Sequence, residues 1–165
     1  MITLSARSKG FTLLEVMVAS LILLIGIVAV MQVFTVAVSQ NRNHGELATR
    51  VTEYSQDKME QLMGLAFTDA SSNTTVRPMT ATGGPGLGVG GSVVPGDKLV
   101  GYVDYLDEGG NVLPSSAGAS YIRQWSISTD ATGKMKTITV YTTTTLARGG
   151  PAPSTTLVCY KTAFS

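Results

Sequence analysis

The sequence predicts an α+β protein in which one long N-terminal helix packs against a C-terminal antiparallel sheet of about four strands. Three observations predict it. Val16 to Val38 is apolar and carries no charge. From Leu47 the apolar positions recur as Leu47, Val51, Tyr54, Lys58/Met59, Leu62 and Leu65, steps of three and four that mark one face of a helix. After residue 97 the chain breaks into short Thr-rich stretches in which apolar and polar residues alternate, the period of a half-buried strand. A helix with one apolar stripe and a sheet with one apolar face each need a cover, and each can supply the other's. With 165 residues the chain has the size of one domain plus an anchor.

The apolar run comes first. Twenty-three residues at about 1.5 Å per residue span roughly 35 Å, enough to cross a hydrocarbon core of about 30 Å. A secretory signal has a shorter apolar region, roughly 7–15 residues, closed by a small-residue cleavage site, and neither feature is found here. Arg7 and Lys9 precede the run and no Lys or Arg follows until Arg42, a bias that places the N-terminus in the cytoplasm and the bulk of the chain outside. No proline occurs before Pro78, so the helix is expected to continue from Phe11 to about Ala66 as one rod of roughly 84 Å. Residues 11–38 form its membrane half and 39–66 its exported half, with Arg50, Glu53, Asp57, Lys58, Glu60 and Gln61 on the face away from the stripe.

Residues 67–97 read as a connecting loop. "ATGGPGLGVGGSVVPG", Ala81 to Gly96, is dense in glycine and proline and offers few groups to a core, which predicts a mobile surface segment. It lacks a strict G-x-G-x-x-G and a framing strand and helix, so it is not read as a phosphate cradle. Residues 98–165 carry the sheet. "KLVGYVDYL" (Lys98–Leu106) is strand-like and is closed by the turn Asp107–Asn111. In "SYIRQWSIS" alternation puts Tyr121, Trp125 and Ile127 on one face with Arg123 among them. Asp130–Gly133 is a turn, "KMKTITVYTTTTL" sets Ile138 and Val140 against Thr137, Thr139 and Tyr141, and a turn at Gly149–Pro153 leads to "TTLVCYKTAF". Trp125 and Tyr121 are read as core.

Composition excludes much of the usual chemistry. A net charge of +1 gives no reason to expect nucleic acid as a ligand. Cys159 is the single cysteine, which rules out an intramolecular disulfide, a CxxC redox pair and a cysteine zinc cluster; it is read as a small buried hydrophobe. His44 is the single histidine, in a polar stretch beside Gly45, and is read as a surface residue. Asp104, Asp107, Glu108 and Asn111 gather around one turn and are weak candidates for a hard cation such as calcium, without the EF-hand spacing. No cofactor and no enzymatic site is expected.

One residue does not suit a plain anchor. Glu15 sits at the head of the apolar run, where an ionised carboxylate costs on the order of a few kcal/mol and usually has a partner. "KGFTLLEVMVA", Lys9 to Ala19, resembles the leader and mature start of type IV prepilins and type II secretion pseudopilins: a short basic leader ending in glycine, a phenylalanine, a glutamate four residues on, then an apolar helix. The resemblance covers Arg7 to about Val38. It implies a leader of residues 1–10, cleavage between Gly10 and Phe11 by a membrane aspartic prepilin peptidase, N-methylation of Phe11, and Glu15 as the assembly glutamate. In that mechanism the new α-amine of one subunit pairs with the glutamate of a neighbour, so two charges disfavoured alone in low dielectric are matched.

The resemblance also implies the type IV pilin fold, other pilin subunits and an inner-membrane assembly platform as partners, and passage from the bacterial inner membrane to the pilus. Major pilins usually carry proline where this chain has Gln32 and often glycine where it has Leu24, and many close their C-terminal region with a disulfide. "LLEVMVASLILLIGIVAV" with "TEYSQDKMEQLM", and the later "IRQWSISTDATGKMKTITVYTT", are instead similar to minor pilins of the pilus-modification type. The expected function is a minor type IV pilin. The alternatives are a type II secretion pseudopilin, which shares the first forty residues, and an unassembled membrane-anchored extracytoplasmic binding domain.

Overall fold

The computed structural model describes residues 10–146 and 151–163. Arg7 and Lys9, Gly149 and Gly150 of the expected Gly149–Pro153 turn, and Phe164 therefore lie outside the described residues. The chain divides into two compact units, Met1–Asn41 and Arg42–Ser165. Helix α1, Leu13–Gly64, contributes its first part to one and its remainder to the other.

In the first unit every described side chain from residue 10 to residue 41 is exposed, Phe11 and Val33 among them at 82% and 71%. The helix is long and apolar enough to cross a membrane. Two of its hydroxyls are turned onto its own backbone: Ser20 Oγ donates to the Val16 carbonyl at 2.7 Å and Thr35 Oγ1 to the Met31 carbonyl at 2.9 Å. Bonding of this kind removes a free hydroxyl from apolar surroundings.

In the second unit residues 42–64 of α1 lie on an antiparallel sheet built from β1 (Gly90–Gly91), β2 (Val103–Leu106), β3 (Val112–Leu113), β4 (Tyr121–Thr129), β5 (Met135–Thr144) and β6 (Ser154–Thr162). The strand order is β3-β2-β4-β5-β6, with β1 paired to β4 beyond the end of β2. Six strands replace the expected four, and the two additions are the two-residue pieces β1 and β3, too short to show a period of two. The first expected strand is shorter than its sequence suggests, because a turn closed by Tyr102 N–H to the Leu99 carbonyl takes its first half.

The expected faces are the observed ones. Val51, Tyr54 and Leu62 of α1 are buried, as are Tyr121, Trp125 and Ile127 of β4 and Ile138 and Val140 of β5. They form two apolar clusters: Leu62, Leu87, Trp125, Ile127, Ile138 and Val140 in one; Val51, Tyr54, Leu106 and Tyr121 in the other. Tyr54 meets Tyr121 edge to face with ring centroids 4.9 Å apart, the geometry aromatic quadrupoles favour.

The 67–97 segment differs from its expectation. Leu87 is fully buried in the first cluster, and Gly90 and Gly91 pair with Ile127 and Ser126. Gly91 has φ +82°, and a Cβ there would collide with the Trp125 carbonyl oxygen, so only glycine allows the approach. The glycines that suggested mobility allow close backbone packing instead. The last turn of α1 has no basic residue of its own. Lys161 of the sheet takes that part, its Nζ donating to the Met63 carbonyl at 2.5 Å, and Lys136 Nζ donates to the carbonyls of Phe67, just beyond the helix, and Leu87 at 2.7 Å each. Cations there also suit the negative end of the helix dipole.

Candidate functional site

The sequence points to the head of α1, and the structure adds a local reason for the helix to begin there. Thr12 precedes the first helical residue, and its Oγ1 accepts the Glu15 N–H at 3.3 Å. Thr12-Leu13-Leu14-Glu15 has the T-x-x-E spacing of a capping box, in which the hydroxyl satisfies an N–H that the helix leaves free. Gly10 and Phe11 lie just before the cap, exposed. Glu15 is exposed in the first turn, where a carboxylate also suits the positive end of the helix dipole. Capping and dipole thus place a carboxylate one turn from the Gly10–Phe11 bond, on a helix whose other neighbouring side chains are apolar.

The second constellation was not anticipated as a unit. Between the two apolar clusters runs a layer of charge. Lys58, which the helical reading counted both on the stripe and on the solvated face, is 1% exposed. Its Nζ reaches Asp104 Oδ2 at 2.6 Å, donates to the Thr74 carbonyl at 2.6 Å and stands 4.4 Å from the centre of the Trp125 ring. Arg123 faces Asp104 directly across the β2–β4 ladder and donates Nε and Nη2 to its two oxygens at 2.8 and 2.9 Å. Arg123 Nη1 also donates to the Tyr54 carbonyl and to Asp57 Oδ2, each at 3.0 Å. Arg77 closes the chain of contacts from the loop, 2.6 Å from Asp57 Oδ2.

This corrects the cation reading. Asp104 is 2% exposed with both oxygens engaged by Lys58 and Arg123, so it does not face the turn that carries Asp107, Glu108 and Asn111. Asp107 in turn accepts the Asn111 N–H and Nδ2, both at 2.9 Å. Among the described residues no group of three His, Cys, Asp or Glu is placed to hold a metal ion. The signal for the charged layer lay in two alternations: Asp104 shares its strand face with Leu106, and Arg123 shares its face with Tyr121 and Trp125. Residues of opposite sign on facing apolar registers are partners before they are ligands.

Burial chiefly lowers the Lys58 ammonium, with Asp104 pulling the other way, to about 8. Burial raises the Asp57 carboxyl, but the hydrogen bond and charge of Arg123, and then those of Arg77, outweigh it and hold the group below its ordinary 3.8. Hydrogen bonds from Ser72 lower Asp69, from Asn111 lower Asp107, and from Thr132 lower Asp130. A carboxyl lowered by folding is already ionised in the native state while the unfolded chain still takes a proton. Its stabilising share is therefore complete above the unfolded value and is lost as pH falls through the lowered one. The urea midpoint is expected to hold between about pH 7 and pH 5 and to drop steadily below about pH 4. Fluorescence of Trp125, the single tryptophan, reports it.

The family model for the prokaryotic N-terminal methylation motif matches residues 5–31. No curated protein and no solved structure matches the chain. The matched residues include the Gly10–Phe11 bond, the Thr12 cap and Glu15, and run on into the apolar half of α1. The methylation motif, the membrane-length apolar helix it opens and the antiparallel sheet on which that helix's later half packs support a type IV pilin-like or pseudopilin-like protein.

Proposed function

We propose that the chain is a minor type IV pilin, a non-catalytic subunit that primes or joins a filament. It is made as a precursor with its N-terminus in the cytoplasm and one span through the inner membrane. A prepilin peptidase cuts between Gly10 and Phe11 and methylates the new terminus. The observation that carries the reading is Glu15, a capped first-turn carboxylate at the head of an apolar helix that has no cover within its own unit. In a membrane lipid covers that surface. In a filament the same helices of neighbouring subunits do, and the α-amine of Phe11 from one subunit meets Glu15 of the next. Such a pair, desolvated on both sides, fixes register between helices whose apolar surfaces could otherwise slide.

Processing tests the reading before assembly does. In Gly10→Val a branched side chain replaces the hydrogen at the residue that ends the leader. The precursor is expected to insert, keep its leader, and be absent from sheared filaments. Cleavage and filament entry at the wild-type level would contradict the proposal.

An anchored extracytoplasmic binding domain has one observation in its favour: a groove of about 1010 Å³ lined by Glu53, Asp57, Arg77, Lys98 and Tyr105. That reading predicts that Glu15 can be replaced without effect on function or location.

A further inference from the structure

Four asparagines occur in the chain, and Asn73 alone is followed two positions later by Ser or Thr, in Asn73-Thr74-Thr75. N-x-Thr without proline at x is the acceptor pattern for an N-linked saccharide, and in a threonine-rich chain the pattern by itself carries little weight. The geometry adds the weight. The Asn73 carboxamide oxygen accepts two hydrogen bonds from Thr75, the backbone N–H at 2.9 Å and the hydroxyl at 2.7 Å. These two donors occupy the oxygen's two lone pairs and decide which end of the amide is which, because a flipped amide would set Nδ2–H against the Thr75 N–H.

Nδ2 is thereby held on the other side, toward Gly83. A Cβ added at Gly83 would have Asn73 Nδ2 at 4.0 Å as its sole neighbour, and Gly83 itself is exposed. The backbone below is held in place. Asn73 N–H donates to the Thr80 carbonyl at 2.8 Å, and the carbonyl of the fully buried Thr74 accepts Lys58 Nζ. The sequon hydroxyl is bonded to the acceptor amide of the half-buried Asn73, whose nitrogen lies toward the exposed Gly83.

We propose that Asn73 is an N-glycosylation acceptor that takes a saccharide from a lipid-diphosphate-linked donor through a membrane oligosaccharyl transferase. A bond forms between Nδ2 and the anomeric carbon. The bond from that carbon to the phosphate oxygen breaks, its electron pair leaves with the lipid diphosphate, and one Nδ2 proton passes to a base of the transferase. The compartment rests on the exported reading above; the geometry of the site does not.

The test is mass spectrometry of the full chain purified from its own cells, and from cells also supplied with such a transferase and donor. Trypsin leaves Met59–Lys98 as one peptide, since Arg77 is followed by Pro78. That peptide is expected to carry a saccharide mass that fragmentation assigns to Asn73. Thr75→Ser should retain it and Thr75→Ala should lose it. Asn73→Asp keeps an oxygen for Thr75 to bond but has no amide nitrogen, so it should fold and lose the added mass completely. A bare Asn73 in both settings, in chains that begin at Phe11, overturns the site alone, and so does a saccharide that persists in Asn73→Asp. A bare Asn73 in chains that keep the leader overturns the exported reading and the site with it.

Discussion

Replacing Asp104 by alanine is expected to destabilise the Arg42–Ser165 unit by about 3–5 kcal/mol, because it strands the buried Lys58 ammonium without a counter-charge and leaves Arg123 with Asp57 alone. Lys58 and Arg123 are each 1% exposed, and Asp104 is the carboxylate that meets both. Both cations are also held from within, Lys58 by the Thr74 carbonyl and Arg123 by the Tyr54 carbonyl. Urea unfolding of the full chain in detergent, followed by Trp125 fluorescence, measures the loss. The double variant Lys58→Met with Asp104→Asn should lose much less than the sum of the two single changes, since Asp104→Asn alone leaves the Lys58 ammonium unmatched and Lys58→Met removes that ammonium. Additive losses would mean that the contacts do not act as one layer.

The layer explains how the Arg42–Ser165 unit can hold charge between two apolar clusters and keep one arrangement of its parts. Apolar clusters tolerate sliding, whereas a carboxylate that must meet one helix ammonium and one strand guanidinium does not. Asp104 sets the position of α1 on the sheet, and Thr74 and Arg77 tie the loop to the same charges. That burial of charge fixes arrangement more than it adds stability is consistent with what buried ion pairs generally contribute.

The second large effect belongs to Glu15. Glu15→Ala is expected to insert in the membrane at least as well as the wild type, since it removes a carboxylate that costs on the order of 2.5–3.5 kcal/mol at bilayer depth. Its entry into filaments should nevertheless fall by at least about tenfold, because a truncated partner of a desolvated pair costs about 2–5 kcal/mol and about 1.4 kcal/mol is already a factor of ten. Glu15→Gln should be nearly as defective, as it keeps shape and hydrogen bonding but not charge. Immunoblots of membrane and sheared-filament fractions from the same cells separate insertion from assembly. Equal filament content for Glu15→Ala and wild type would contradict the assembly role.

Which parts were legible follows from the physics of each signal. The buried face of α1 could be read from Val51, Tyr54 and Leu62, and that of β4 from Tyr121, Trp125 and Ile127, because periodic burial leaves a periodic pattern. The pairing of Asp104 with Arg123 could not, because it needs the β2–β4 register, and register is a property of two segments at once. Asp104 therefore looked like a neighbour of Asp107, which is close in sequence, when its partners are 19 residues away on β4 and on the far side of the core. The loop was misjudged for a related reason. A single leucine, Leu87, anchors it, and one apolar residue among glycines has no period. The Thr12 cap was legible in T-x-x-E, although the apolar run beside it is the stronger signal.

The assembly role of Glu15 requires that a cut after Gly10 create the amine that a neighbour's Glu15 meets. Mass spectrometry of the N-terminal peptide, taken from chain recovered in filaments, tests it most directly. The expected chain begins at Phe11 with a methylated α-amine. A filament-borne chain that keeps its first ten residues, or begins anywhere else, would contradict it.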